Sequence, residues 1–353
     1  MKIALLGDIA LFGDNTVENK TIEEKFASIK AVLMKCDYVV GNLESPLTKR
    51  ERTVGGKSAY LKGNPDNVEI LKYLGVSHVT LANNHMYDYR LQGLKETIQV
   101  LGKNGIEWYG INGKSARILS QGNEITLLGY CCYSTNAKGM GVINVLDPEQ
   151  VEKDLENSKS TLPIVSFHWG EEHVHYPNYD HIKISRKLCK DREIIIYGHH
   201  PHVIQGIEEI GRSVVLYSQG NFCFDDVYTK KSAEPLISLS KDNQESFIFI
   251  LDIQGSQING YDIIPFSFQK GVYEIAPEVK DKILNWSEAL KVKESEYNKK
   301  RNSDLAQYIE GRKSLRDFEW YIKRLNFDSL RMIVSARSNK KKYNEIVKRY
   351  ILG

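Results

Sequence analysis

The chain has 353 residues, 41% apolar and 26% charged, which excludes collagen-like and disordered classes and leaves a soluble globular protein with one large domain and a smaller one. Its net charge of +3 conceals an asymmetry: residues 281–353 hold 18 Lys+Arg against 10 Asp+Glu, a balance of +8, leaving −5 for residues 1–280. Acidic residues interrupt that basic tail throughout, so it reads as a solvated helical appendage, with no specific nucleic-acid partner implied.

The apolar run at 3–6 is shorter than a signal-peptide core or a membrane span and reads as a first buried strand. Further apolar runs at 38–40, 78–81, 125–130, 162–167, 194–197 and 214–217 predict strands. Between them, apolar residues at three-and-four spacing predict helices over 21–34, 67–74, 91–103, 148–157 and 179–189. This alternation argues for a layered α/β domain. Segments 246–253 and 258–266, separated by a polar Gly-containing connection, predict a β-hairpin. Helical patterns follow at 279–289, 306–312, 315–325 and 343–350, and a soft boundary falls near 275, giving a domain at 1–275 and a basic helical extension at 276–353. The cysteines Cys36, Cys131, Cys132, Cys189 and Cys223 show no CxxC spacing and read as small buried hydrophobes in a reducing cytoplasm.

Polar clusters sit where the predicted strands end. Asp8 follows the first strand and a glycine, where a carboxylate serves equally well as a metal ligand or a turn residue. Glu44 follows the second strand on a loop stiffened by Pro46. Asn83, Asn84 and His85 follow the third strand, and Asp88 is placed to orient His85 through a hydrogen bond. His168 ends a later strand beside Trp169 and Gly170. His173 and His175 lie among charged neighbours and are expected to face solvent. Gly198-His199-His200-Pro201-His202 is the strongest local signal, because a proline between two imidazoles stiffens a pair of metal ligands. Gly220-Asn221 offers backbone N–H groups and a carboxamide to a substrate, or simply a turn.

In their order along residues 1–226, these motifs resemble the capsule and poly-γ-glutamate biosynthesis proteins of the CapA type, which are similar to calcineurin-like metallophosphoesterases. The resemblance implies a metallophosphoesterase-like β-sandwich flanked by helices. It also implies Asp8, Glu44, Asn84, His168, His200 and His202 as ligands of one or two divalent cations (Mn, Zn, Fe or Mg), with His85 as proton donor and Asp88 beside it. Asn42, Asn83, Glu172, His199 and Asn221 are then expected near the substrate. Two departures stand out. Ala10 occupies a position where the superfamily usually has histidine, and Glu44 stands where an aspartate usually bridges two metals. The implied activity is metal-dependent hydrolysis of a small or polymeric substrate in capsule polysaccharide or poly-γ-glutamate biosynthesis. The alternative is a non-catalytic assembly factor that docks on a polymer synthase through the basic tail. No transmembrane segment is read, so the expected location is cytoplasmic; a nucleic-acid phosphodiesterase ranks last, for want of an aromatic base-stacking motif.

Overall fold

The computed structural model describes residues 1–55, 57, 59–120, 122–132, 141–159, 161–228, 235–314 and 327–352. Short apolar runs pair into two sheets. The chain first lays down β1 (Lys2–Ile9), β2 (Tyr38–Leu43), β3 (His78–Thr80) and β4 (Glu107–Tyr109) as parallel neighbours. It then builds a second sheet from β5 (Ala116–Ser120), β6 (Asn123–Cys131), β7 (Leu162–His168), β8 (Ile195–His199), β9 (Ile207–Ile210) and β10 (Ser213–Leu216), in the order β5-β6-β7-β8-β10-β9. The chain finally returns to the first sheet. There β11 (Asn221–Cys223) pairs in parallel with the end of β1, while β12 (Glu245–Gln254), β13 (Gln257–Gln269) and β14 (Val272–Ile275) extend the sheet antiparallel from the start of β1. Gly255 and Ser256 turn the β12–β13 hairpin at φ 59° and 58°, the pair of positive values a type I′ turn requires.

Strand alternation sorts the apolar side chains into three layers. Ile3, Leu5 and Val40 meet Ile125, Leu127, Ile164, Ile195 and Leu216 between the sheets. Ala4, Leu6, Ile9 and Val39 turn to the other face of the first sheet. That face is covered by α1 (Ile22–Lys25), α2 (Ala27–Leu33), α3 (Val68–Tyr73) and α4 (Arg90–Lys103). The outer face of the second sheet is covered by α5 (Pro148–Asn157) and α6 (Tyr179–Cys189). Each large apolar side chain so buried contributes roughly 1.5–3 kcal/mol. The C-terminal segment is packed onto this body through α7 (Val279–Ala289), α8 (Glu294–Ser314) and α9 (Phe327–Leu352). Val279 and Ile283 join the layer between the sheets, while Tyr297, Tyr343, Val347 and Tyr350 join the layer over α6. Among the described residues, no helix is long and apolar enough to cross a membrane. None of the five cysteines is in a disulfide among the described residues; Cys36 is half-buried and the others are buried.

The differences from the sequence reading have local causes. The helix predicted over 21–34 breaks at Phe26 (φ −107°), whose ring stacks on Tyr273 at 4.7 Å and Phe222 at 6.1 Å. Strands β4, β5, β9 and β14 lack apolar runs because they are the edges of their sheets and bury only part of their side chains. Gly220-Asn221, expected either to face a substrate or to form a turn, leads directly into β11. Helix 306–312 is part of α8, helix 343–350 is part of α9, and the helix read at 315–325 lies outside the described residues.

Two glycines and a bulge place the site. Between Leu5 and Asp8 the register of β1 against β2 slips, with Leu5 opposite Val40 but Asp8 opposite Asn42. Unbroken alternation would send Asp8 outward with Ala4 and Leu6; the extra residue turns it toward the second sheet. Gly7 permits this because a Cβ there would lie 2.2 Å from the carbonyl oxygen of Gly220. At the matching point of the second sheet, a Cβ on Gly198 would lie 1.9 Å from the carbonyl oxygen of Tyr217. We therefore expect Gly198→Ala to destabilise the fold by about 3 kcal/mol or more through backbone overpacking. Gly102→Ala, where a Cβ meets nothing within 4 Å on α4, should be neutral or stabilising by about 0.5–1 kcal/mol. Urea unfolding of the two variants checks the contrast, and equal midpoints would refute it.

Candidate metal centre

The parallel strands of both sheets end at one edge, and the polar clusters converge there. Asp8 is fully buried. Its Oδ1 accepts a hydrogen bond from Asn42 Nδ2 at 2.8 Å and lies 3.0 Å from His199 Nδ1; its Oδ2 accepts from the His200 backbone N–H at 3.1 Å. Burial alone would raise its pKa. The hydrogen bond and charge of His199, the charge of His202 and the Asn42 donor outweigh burial and hold it at about 2.

Glu44 has the opposite environment. It is fully buried, and neither carboxylate oxygen has a hydrogen-bond partner. Burial, followed by repulsion from Asp8 and Glu172, pushes its pKa well above the ordinary range. An unpartnered buried carboxylate is costly unless a cation compensates it. Glu44, His200 and His202 each direct one ligand atom into a region where those atoms lie within 4.8 Å of one another. His200 Nδ1 is likewise buried without a partner. Burial lowers the His200 pKa to about 4 against the opposing charge of Glu172, and burial with the neighbouring histidines lowers that of His168 well below its usual value, so both rings are neutral lone-pair donors at neutral pH. Oxygen and imidazole donors without thiolate fit a divalent cation such as Mn, Zn or Fe.

The surrounding residues fix these rings. His202 Nδ1 lies 2.9 Å from Asn221 Oδ1 and 3.4 Å from Asp8 Oδ2. Two acceptors on Nδ1 place the proton there and leave Nε2, 3.8 Å from Glu44 Oε1, as the ligand atom. His200 and His202 take φ values of 97° and 57° around Pro201, strain of roughly 1–3 kcal/mol per residue that the surrounding hydrogen bonds must hold. His168 Nε2 lies 2.8 Å from Asn84 Oδ1 and 3.8 Å from Glu44 Oε1, so Asn84 and His168 point at the same spot. For both to bind a cation, the Nε2 proton must move.

His85 is paired with Asp88 through Nδ1 at 2.7 Å. Lys57, which no sequence pattern singled out, donates to Asp88 Oδ1 at 2.5 Å and to the Asn84 carbonyl at 3.0 Å, and lies 3.2 Å from His85 Nδ1. Burial and then Lys57 lower the pKa of His85. Asn42 and Asn83 sit beneath the site rather than on its wall. Asn83 is fully buried and donates to Asn42 Oδ1 at 3.0 Å and the Leu43 carbonyl at 2.8 Å, while accepting from the N–H groups of His85 and Met86. His199 is also interior, 1% exposed against Asp8.

The expectation that His173 and His175 face solvent is corrected. His173 contacts Asn243 Nδ2 at 3.0 Å and packs on Tyr308, while His175 stacks on Trp286 at 4.6 Å and contacts the Ile204 carbonyl at 2.8 Å. Both are half-buried because the C-terminal helices return over this loop. Those helices also enclose the site. A cavity of about 450 Å³ is lined by Asn84, Glu172 and His200 on one side and by Tyr308, Arg337 and Lys340 on the other. Tyr308 donates to Glu172 Oε2 at 3.2 Å.

Because the folded-state pKa of Glu44 lies above its ordinary 4.5, the unfolded chain loses this proton first. In metal-stripped protein Glu44 therefore costs stability progressively as pH rises from 4.5 toward its folded value, at up to about 1.4 kcal/mol per pH unit. Metal-stripped Glu44→Gln should melt above wild type at pH 8 and gain less from added Mn²⁺. An equal Mn²⁺-induced shift in the two proteins would remove Glu44 from the ligand set.

Residues 2–226 match the family described as Bacterial capsule synthesis protein PGA_cap. The PGA biosynthesis protein CapA of Bacillus subtilis (strain 168) is 28% identical over 257 residues, 67% of this chain and 67% of that protein. The capsule biosynthesis protein CapA of Bacillus anthracis is 27% identical over 270 residues, 70% of this chain and 62% of the relative. Among solved structures, a phosphatase of Mycoplasma pneumoniae, 16% identical, superposes with a TM-score of 0.48 over 80% of this chain and 96% of its own. The matched segment spans most of the chain and includes the ends of β1, β2, β3, β7 and β8 that carry the site, and the chain belongs to the bacterial capsule synthesis protein PGA_cap family.

Proposed function

We propose that the protein is a metal-dependent hydrolase acting on a phosphoester or related bond during the biosynthesis of a capsule polysaccharide or poly-γ-glutamate. The observation that carries this reading is the buried, unpartnered Glu44 carboxylate converging with His202 and with His200, which lines a cavity beside it. Glu44, His200 and His202 would hold one divalent cation, with Asp8, Asn84 and His168 completing the ligand set. Bound there, such an ion supplies Lewis acidity and a water of lowered pKa.

The protein's own groups do the rest. Asn42 and the His200 N–H keep Asp8 fixed and ionised, and Asn221 fixes the tautomer of His202. His85 is neutral at rest with its proton on Nδ1 toward Asp88, so its Nε2 would take the proton released by the attacking water and pass it to the leaving oxygen. Asp88, at 2.7 Å, stabilises the imidazolium formed in between. Lys57 keeps Asp88 ionised and contributes positive charge beside the leaving group.

A second reading, a non-catalytic assembly factor, is favoured by Ala10. That residue is fully buried, its N–H donating to the Cys223 carbonyl at 2.8 Å, and its methyl group offers no donor for a second cation. The deciding experiment measures metal content and turnover with Mn²⁺ on a generic phosphomonoester and phosphodiester, for wild type and His200→Ala/His202→Ala. We expect about one to two equivalents of metal in wild type, and loss of metal with an activity drop of about 100-fold or more in the variant. A well-folded, metal-poor and inactive wild type would overturn the hydrolase and leave the assembly factor.

A further inference from the structure

We infer that Asn243 is a positioning residue for the metal ligand His202; this rests on the metal site of the hydrolase reading and extends that site beyond the family-matched segment, which ends at 226. Asn243 lies in a single 3₁₀ turn, Lys241–Gln244, and is 1% exposed. Its carboxamide can make four hydrogen bonds and makes all four. Oδ1 accepts from the Ser240 backbone N–H at 3.1 Å and from Ser240 Oγ at 2.8 Å. Nδ2 donates to the His202 carbonyl at 2.8 Å and to His173 Nδ1 at 3.0 Å. A backbone N–H can only donate, so Ser240 dictates which end of the amide faces it and leaves both N–H donors for the histidines.

This amide holds a strained peptide. His202 sits at φ 57°, a conformation that costs a non-glycine residue roughly 1–3 kcal/mol, and its ring reaches toward Glu44 from that backbone. The preceding carbonyl, that of Pro201, accepts from the His173 N–H at 2.7 Å. Asn243 thus secures the His202 carbonyl directly, and it secures the ring of the residue whose N–H holds Pro201.

The same residue decides which nitrogen His202 presents. The Asn243 backbone carbonyl, an obligate acceptor, receives Asn221 Nδ2 at 3.0 Å, and this turns Asn221 Oδ1 toward His202 Nδ1 at 2.9 Å. With an acceptor there, Nδ1 carries the proton and Nε2 keeps its lone pair for a cation beside Glu44. Side chain and main chain of one residue therefore fix both the backbone and the tautomer of one ligand. The turn has a firm base, since Lys282 of α7 pairs with Asp242 at 3.2 Å and with Glu245, on either side of Asn243.

The test titrates the metal-stripped full chain with Mn²⁺ by calorimetry, for wild type, Asn243→Ala, His202→Ala and the double variant. Gln244→Ala, in the same turn, is the control. We expect Asn243→Ala to bind Mn²⁺ about 10–100-fold more weakly, and to lose nothing further in the His202→Ala background, because it acts through that ring. The control should bind as wild type does. Should Asn243→Ala fail to fold, Asn243→Asp takes its place in the cycle: it still accepts both bonds from Ser240 but offers no donor to His202. Equal Mn²⁺ affinity in wild type and the Asn243 variant overturns the proposal. So do additive losses in the cycle, which a turn of merely structural importance would give. Phosphoester turnover on the same samples separates the two readings. An Asn243-dependent metal site without turnover leaves the positioning role and removes the hydrolase; turnover with Asn243-independent binding does the reverse, and a wild type that takes no Mn²⁺ removes both.

Discussion

The Asp8 carboxylate is the point at which the two sheets are tied together. It leaves β1 in the first sheet and is held by Asn42 from β2 of that sheet and by the His199 ring and His200 N–H from β8 of the other. This contact can form only because a bulge turns Asp8 inward and because Gly7 and Gly198 let backbones approach where a methyl group would collide. The glycines that precede the acid and the histidines are thus needed for packing rather than for unusual dihedral angles. Once the two packed sheets are pinned together at this end, the loops after β2, β3, β7 and β8 have a single place to converge.

Asp8 and Glu44 show how partners, not burial, decide the state of a carboxylate. Both are completely enclosed. Asp8 meets donors and imidazoles and remains ionised, whereas Glu44 meets Asp8 and Glu172 and strongly resists ionisation. The protein has spent its available donors on one acid and left the other electrostatically unsatisfied. Such asymmetry is difficult to explain as a stability device, since replacing Glu44 by a neutral group would relieve it at no evident cost to packing. It is readily explained as a place prepared for positive charge.

The strands that build the site were legible because buried parallel strands are continuous apolar runs, and because polar groups placed immediately after such runs must lie at one edge of a sheet. Asp8, Glu44, His168 and His200 could be located on that basis. The sequence does not encode equally visibly what depends on convergence. Asn83 resembles a site residue but spends its carboxamide holding its own loop. Lys57 follows no apolar run, so nothing local announces that it will meet Asp88. His173 and His175 have charged neighbours in sequence but are partly covered by helices more than 100 residues away, at Trp286 and Tyr308. Edge strands were lost for a related reason: half-buried strands need no strong apolar pattern.

The pairing of β1 carries a kinetic consequence. Lys2 through Leu5 bond on one side to residues 38–40 and on the other to residues 249–252, so this first half of the central strand, unlike its end beside β11, gains its second neighbour only after some 250 residues have been made. The family-matched segment ends at 226, before that neighbour exists. During synthesis at roughly 5–20 residues per second, the apolar edge of β1 therefore waits unpaired for about ten seconds or more, exposed to wrong partners. Loop closure over that separation also makes the native pairing slow to find. A chain so arranged depends on its last third to complete its first strand, and its yield in the cell should respond to translation speed and to chaperones that bind unpaired strand edges.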